Sequence, residues 1–319
     1  MKHLRSLLLV GLVGMMLFSL TGCPGKEGTL FKSYVTRFGK PPKISVYLKE
    51  SGKKVEMDLE EYLVGVIAGE MKQGWSLNAY AAQAIIARTF TMEFLSRGGT
   101  RKLHGTDISN DENEAQNYNA AAITPIMRKA VEMTKGQVLT YKEKYIKAWY
   151  GTICGGHTTY AKEGLAYPGQ EPPYITPVKC PEEKVIPKEE LFWDSTLTTA
   201  DATSALKAMN KNIGNLQKIE VTKRSKTTYR ATELRLTGDQ GNLIMAGADF
   251  RINFGPEKVR SIWLLDIENK PNAVKLSGRG FGHGVGLCQW GAYALAKQGR
   301  SPKEIVKHYY PKAHLSKVW

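Results

Sequence analysis

Apolar and polar positions change period several times along the 319 residues, and each change marks an element. After Lys2, His3 and Arg5, residues 7 to 20 are apolar apart from Gly11, Gly14 and Ser19. That run is short for a membrane span and has the length of a secretory signal. Ile44 to Leu48 alternates with period two, and Val55 to Leu59 alternates again beyond Ser51-Gly52-Lys53-Lys54, which predicts a hairpin. From Tyr62 to Ala68 every residue is apolar or glycine, which predicts a short helix leading into Glu70. Ser76 is an N-cap for a long helix that Gly98-Gly99 stops. Residues 100 to 122 are polar and irregular. Ile126 to Thr134 reads helical, and Gln137 to Tyr141 and Tyr145 to Tyr150 read as two strands around a charged turn.

The second half repeats the mixture. A helix is predicted over Thr199 to Met209 and strands over Lys218 to Thr222 and Tyr229 to Leu236. Residues 185 to 258 are less hydrophobic and carry no concentrated chemistry, so they read as a smaller inserted lobe. A glycine loop follows from Ser277 to Ala292, then a helix from Gln289 to Gly299 and another opened by Ser301-Pro302 and closed at Tyr310-Pro311. Helices mixed with antiparallel strands predict an α+β fold with a cleft, residues 43 to 319 forming the main domain.

Composition adds direction. A hydrophobic share of 42% suits a folded chain, which sets disorder aside. The apolar run closes on Leu20-Thr21-Gly22-Cys23, which resembles a bacterial lipobox; residues 1 to 22 are then a signal peptide, Cys23 the lipidated end and residues 23 to 42 a tether. An uncleaved N-terminal anchor is the alternative, and both place the chain outside the cytoplasm, on the membrane. The formal charge is +15, and loss of Lys2 and Arg5 with the signal leaves +13. So basic an exported chain suits anionic wall polymers or lipid head groups. Export, and the lack of helix-turn-helix, zinc-finger or RNP patterns, exclude nucleic acid as partner.

Candidate chemistry gathers at three places. Glu70 ends an apolar run with nothing to pair its charge, where burial raises a carboxyl pKa toward the value a general acid needs. Arg88 falls on the apolar stripe of Leu77, Ala81, Ala84 and Leu95, so it requires a partner, either in a structural ion pair or in a site. Cys154, His157 and Cys180 offer a structural zinc site or a disulfide, while Cys288 reads as an inert buried thiol. The acids between Asp107 and Glu114 lack EF-hand spacing and read as a solvated loop. Five glycines within nine residues, from Gly278 to Gly286, let the backbone approach a ligand, and Arg279, His283 and Gln289 suit sugar hydroxyls.

The block Glu-Tyr-Leu-Val-Gly-Val-Ile-Ala-Gly-Glu-Met from Glu61, the helix Ala-Tyr-Ala-Ala-Gln-Ala-Ile-Ile-Ala-Arg-Thr-Phe, Gly155-Gly156-His157-Thr158, the loop from Gly280 to Ala292 and His308-Tyr309-Tyr310-Pro311 occur in family order. On these the chain resembles the stage II sporulation protein D family of lytic transglycosylases, which includes amidase enhancers. The resemblance implies cleavage of the β-1,4 bond between N-acetylmuramic acid and N-acetylglucosamine in peptidoglycan glycan strands, leaving 1,6-anhydro ends. It makes Glu70 the catalytic acid and Arg88 a second required residue, with no cofactor needed for catalysis. Gln116, Tyr118, Tyr150, Arg279, His283, Gln289, Trp290 and Tyr293 are the expected glycan contacts. The alternative is a glycan-binding lipoprotein that activates a cell-wall amidase. One departure stands out: two cysteines common in the loop after the long helix are replaced by Ser109 and Ala115.

Overall fold

The computed structural model describes residues 38–319; the apolar leader, Cys23 and the tether up to residue 37 lie outside the described residues. The hairpin expected near residue 50 forms from β1 (Lys43–Leu48) and β2 (Lys53–Asp58). It leads into α1 (Leu59–Glu70) and α2 (Leu77–Ser96). The polar segment is more ordered than its pattern predicts, holding α3 (Arg101–His104) and β3 (Ile108–Ser109), which adds to β1 in parallel. Side chains replace apolar packing there: Asp107 accepts from Ser45 and Arg101, and Glu114 from His104 and Ser109.

Next come α4 (Pro125–Met133), β4 (Gln137–Tyr141), β5 (Lys144–Tyr145) and β6 (Tyr150–Gly151). The single strand expected over 145–150 is thus two pieces in different sheets. A tight turn, Trp149 N–H to Lys147 C=O at 3.0 Å, redirects the chain between them. After α5 (Ala161–Leu165) and α6 (Lys188–Leu191), a lobe is built from β7 (Phe192–Thr198), α7 (Thr199–Ala208), β8 (Leu216–Arg224), β9 (Ala231–Gly238), β10 (Gly241–Ala246), α8 (Gly247–Phe254), β11 (Leu264–Lys270) and β12 (Ala273–Arg279). The chain closes with β13 (Leu287–Cys288), α9 (Gln289–Lys297), α10 (Pro302–Tyr309) and β14 (His314–Lys317).

The fold is α+β, and among the described residues its sheets are small, two or three strands each. Two hydrophobic cores form. The larger surrounds α2, of whose twenty residues fourteen are buried; its alanines let α1, α4, α9, α10 and β4 pack closely on all sides. The smaller joins residues from Trp193 to Leu276, so the lobe runs beyond the 185–258 segment read from composition. Its strands β7, β11 and β12 escaped the sequence reading because each presents only two or three apolar side chains inward between polar ones. No helix among the described residues is long and apolar enough to cross a membrane.

Candidate active site

Glu70 is the last residue of α1, and Gly69 before it is a requirement of the local geometry. A Cβ at Gly69 would lie 2.7 Å from the Asn117 backbone, so only glycine lets residues 116–118 close over the helix end. The Asn117 N–H then donates to Glu70 Oε1 at 2.9 Å. The Tyr150 hydroxyl, on β6, stands 3.1 Å from the same oxygen, and Gln289 Nε2, at the start of α9, 3.4 Å from Oε2. Four distant segments therefore meet on one carboxyl group. It sits in an open cleft of about 330 Å³ that is also lined by Glu112, Arg251, Phe281 and His283.

Burial holds the Glu70 carboxyl above the ordinary carboxylate range. The bonds from Asn117, Tyr150 and Gln289 pull it back, and the Glu112 charge pushes it further up. Burial also drives the Tyr150 hydroxyl well above its usual pKa, so it stays a donor. Its oxygen is 3.1 Å from Gln116 Oε1 as well, and its one proton goes to one acceptor at a time. Ionised Glu70 draws it; protonated Glu70 releases it to Gln116, whose amide is oriented by donating to Thr91 Oγ1 at 2.8 Å. His283 is neutral near pH 7, its pKa lowered to about 4 by burial first and then by the Arg251 charge. Its Nδ1 accepts from Val285 N–H at 2.9 Å, and the ring also bonds the Tyr150 backbone, so the imidazole staples the glycine loop to β6.

Of the residues expected at a site, Glu70, Tyr150, His283 and Gln289 line one cleft, with Gln116 buried behind its wall. Arg88 is elsewhere. Its side chain is fully buried and ion-paired with Glu60, Nη2 to Oε2 at 2.6 Å and Nε to Oε1 at 3.1 Å, and its remaining bonds go to backbone carbonyls. Of the two readings of Arg88, the structure has the ion pair, away from the cleft: a guanidinium inside the core has spent its donors on the partner that made its burial tolerable. Tyr118 stacks on Tyr62 with centroids 5.7 Å apart, away from the cleft. Arg279 pairs with Glu183 and lies over the Phe192 and Trp263 rings. Trp290 and Tyr293 pack on Trp75 beside Lys72, at centroid distances of 5.0 and 4.8 Å. Glu112, Arg251 and Asn117 were not singled out in the sequence; Glu112 read as one more acid of a solvated loop.

A second constellation is buried behind β6 and β13. Cys154, Cys180, Glu182 and Cys288 bring their ligand atoms within 4.8 Å of one another. All three cysteines are free thiols. His157 is outside the group, its Nδ1 bonded to the Thr158 carbonyl at 2.9 Å. The trio expected from spacing thus loses its histidine, and gains Cys288 from the glycine loop and Glu182 from two residues beyond Cys180.

Residues 47–141 match a family model described as stage II sporulation protein, and residues 182–286 match a domain of unknown function (DUF8618). The chain is 29% identical over 290 residues to stage II sporulation protein D of Bacillus subtilis, covering 87% of this chain and 80% of that one. It is 29% identical over 256 residues to an uncharacterized protein of Brachyspira hyodysenteriae, covering 80% of this chain and 66% of that one. It is also 28% identical over 291 residues to an amidase enhancer of Bacillus subtilis, covering 78% of this chain but 39% of the enhancer.

Proposed function

We propose that this chain, whose residues 47–141 match the stage II sporulation protein family model, is an extracytoplasmic peptidoglycan lytic transglycosylase with Glu70 as its acid and base. The observation that carries this is the Glu70 carboxyl: half-buried in an open cleft, raised in pKa, and ringed by donors that stabilise it once it ionises. In the first half-reaction Glu70 gives its proton to the glycosidic oxygen, and the C1–O bond of the muramic acid breaks. The carboxylate left behind is held by Asn117 N–H, Tyr150 Oη–H and Gln289 Nε2–H. It then takes the proton of the C6 hydroxyl as O6 bonds C1, which restores the acid and closes the 1,6-anhydro ring. Gln289 and Tyr150 are the glycan-facing residues closest to this chemistry, and the Phe281 ring offers a face for a pyranose. Lipid attachment at Cys23 holds the domain at the membrane surface, and the basic balance of the chain favours anionic wall polymers.

The likeness to an amidase enhancer supports a second reading, a glycan-binding protein that activates a wall amidase. Purified glycan strands digested with the protein and read by mass spectrometry separate the two. The expected product carries a 1,6-anhydro-muramic end, one water lighter than a hydrolytic product, and Glu70→Gln yields none while still binding glycan. Reducing ends alone overturn transglycosylation but leave Glu70 as an acid. Binding without cleavage, together with stimulation of an added amidase, establishes the enhancer.

A further inference from the structure

We propose that Cys154, Cys180, Cys288 and Glu182 hold one zinc ion, and that this ion fastens the wall of the cleft. The donor set fits. Three thiolates and a carboxylate complete a closed tetrahedron with no position left for substrate, the hallmark of a structural rather than catalytic zinc. Zinc–sulfur bonds of about 2.3 Å put two ligating sulfurs about 3.8 Å apart, and the four donors here lie within 4.8 Å of each other, a cage for a single ion. The hard carboxylate beside the thiolates disfavours copper(I).

The surroundings are built for sulfur that carries charge. Cys288 Sγ accepts from the backbone N–H of Cys154 at 3.3 Å and of Gly291 at 3.4 Å, the latter in the first turn of α9. The Tyr309 hydroxyl lies 3.1 Å from Cys180 Sγ, and Glu182 Oε1 accepts from Gly156 N–H at 2.6 Å. Cys288, Cys180 and Glu182 thus each have the kind of outer-shell bond that orients a metal ligand. Gly291 is glycine for the same reason: a Cβ there would sit 2.1 Å from Cys180 Sγ and from the Tyr309 hydroxyl. Glu182 is fully buried with no ion pair among the described residues, and the nearby buried Arg230 spends its guanidinium on the carbonyls of Thr228, Cys154 and His157. A buried carboxylate among three thiols is a costly arrangement without a cation.

The site also sits where a fastener is useful. Strands β6 and β13 share a single two-residue parallel ladder, Leu287 to Tyr150 and Cys288 to Gly151. Tyr150 and Gln289, which both bond Glu70, hang on that ladder. Cys288 precedes Gln289 directly, and Cys154 follows Tyr150 by four residues. Cys180 is delivered by the Cys180 N–H to Gly156 C=O bond at 2.9 Å. One ion therefore ties three segments together immediately behind the acid.

The test is made on the intact protein, purified under reducing conditions without chelator, and is read by elemental analysis. Equimolar zinc is expected, retained in His157→Ala and lost in the double variant Cys180→Ser/Cys288→Ser. Because that variant is at risk of misfolding, the wild-type protein stripped of zinc is titrated with cobalt(II). Tetrahedral d–d bands and a thiolate-to-cobalt charge-transfer band support the site, and their weakening in Glu182→Gln assigns the fourth ligand. Several results overturn the proposal: no bound metal and no cobalt spectrum in the reduced protein, iron with acid-labile sulfide, a disulfide mapped between two of the three cysteines in the protein as isolated from cells, or undiminished zinc in the double variant.

Discussion

Replacing Arg88 with methionine keeps the length and apolar stem of the side chain but removes the charge from the core. Arg88 has no exposed surface, and the Glu60 side chain only 11%, so the pair differs from a surface salt bridge worth at most about 1 kcal/mol. Glu60 Oε1 also accepts from Gly136 N–H at 3.0 Å and Trp319 Nε1–H at 2.9 Å, and these two donors would remain. Oε2 would lose the Arg88 donor 2.6 Å away, and the carbonyls of Ala84, Val131 and Gln137 would lose theirs. Removing one partner of a buried ion pair costs about 3–5 kcal/mol. At about 2–4 °C per kcal/mol for a domain of this size class, the melting temperature falls by roughly 10 °C. Adding Glu60→Gln removes the stranded charge and should recover part of the loss, which a double-mutant cycle reads directly. Cleavage measured well below the lowered melting temperature should stay within a few fold of wild type, since Arg88 makes no bond to Glu70. A variant that melts like wild type yet cleaves no glycan would refute the reasoning and return Arg88 to the reaction.

Two further outcomes are expected. The Glu112 charge adds to the elevation of the Glu70 carboxyl, so Glu112→Gln lowers that pKa. A general acid is lost as pH rises through its pKa, so the basic limb of kcat/KM should move to lower pH; a basic limb that stays put or moves up removes Glu112 from the electrostatics of the acid. Cys23→Ser should abolish palmitate labelling and release the protein from the membrane fraction, and labelled protein in that variant would contradict lipid attachment at this residue.

Glu70 was legible as a candidate because its signal is local. Glu70 ends a run of apolar residues, and a carboxyl carried to the edge of the core by its own helix has its pKa raised first by partial burial. Arg88 shows where the same logic stops. Periodicity put it on the apolar stripe and demanded a partner, but the choice between Glu60 and Glu70 rests on the crossing of α1, α2 and β4, which no stripe encodes. Glu112 was illegible for a related reason: its segment looks like any solvated acidic loop until Asn117 docks on the helix end beside Gly69 and brings the loop to the cleft.

The cysteines divide in the same way. Sequence alone determined that the thiols were few and that Cys154 lay three residues before His157, which together with Cys180 suffices to nominate a metal or a bridge. It also determined the α+β mixture, the long helix α2 and the basic charge, because hydrophobic period, composition and helix stops act within a few residues along the chain. Tertiary structure decided that His157 turns to its own backbone, that Cys288 arrives from the glycine loop more than a hundred residues later, and that Glu182 completes the group. It decided as well which four segments converge on Glu70. Such convergence is a matter of strand register and close approach at glycine, set by contacts between residues far apart in the chain, and the order of residues along a single segment carries no record of them.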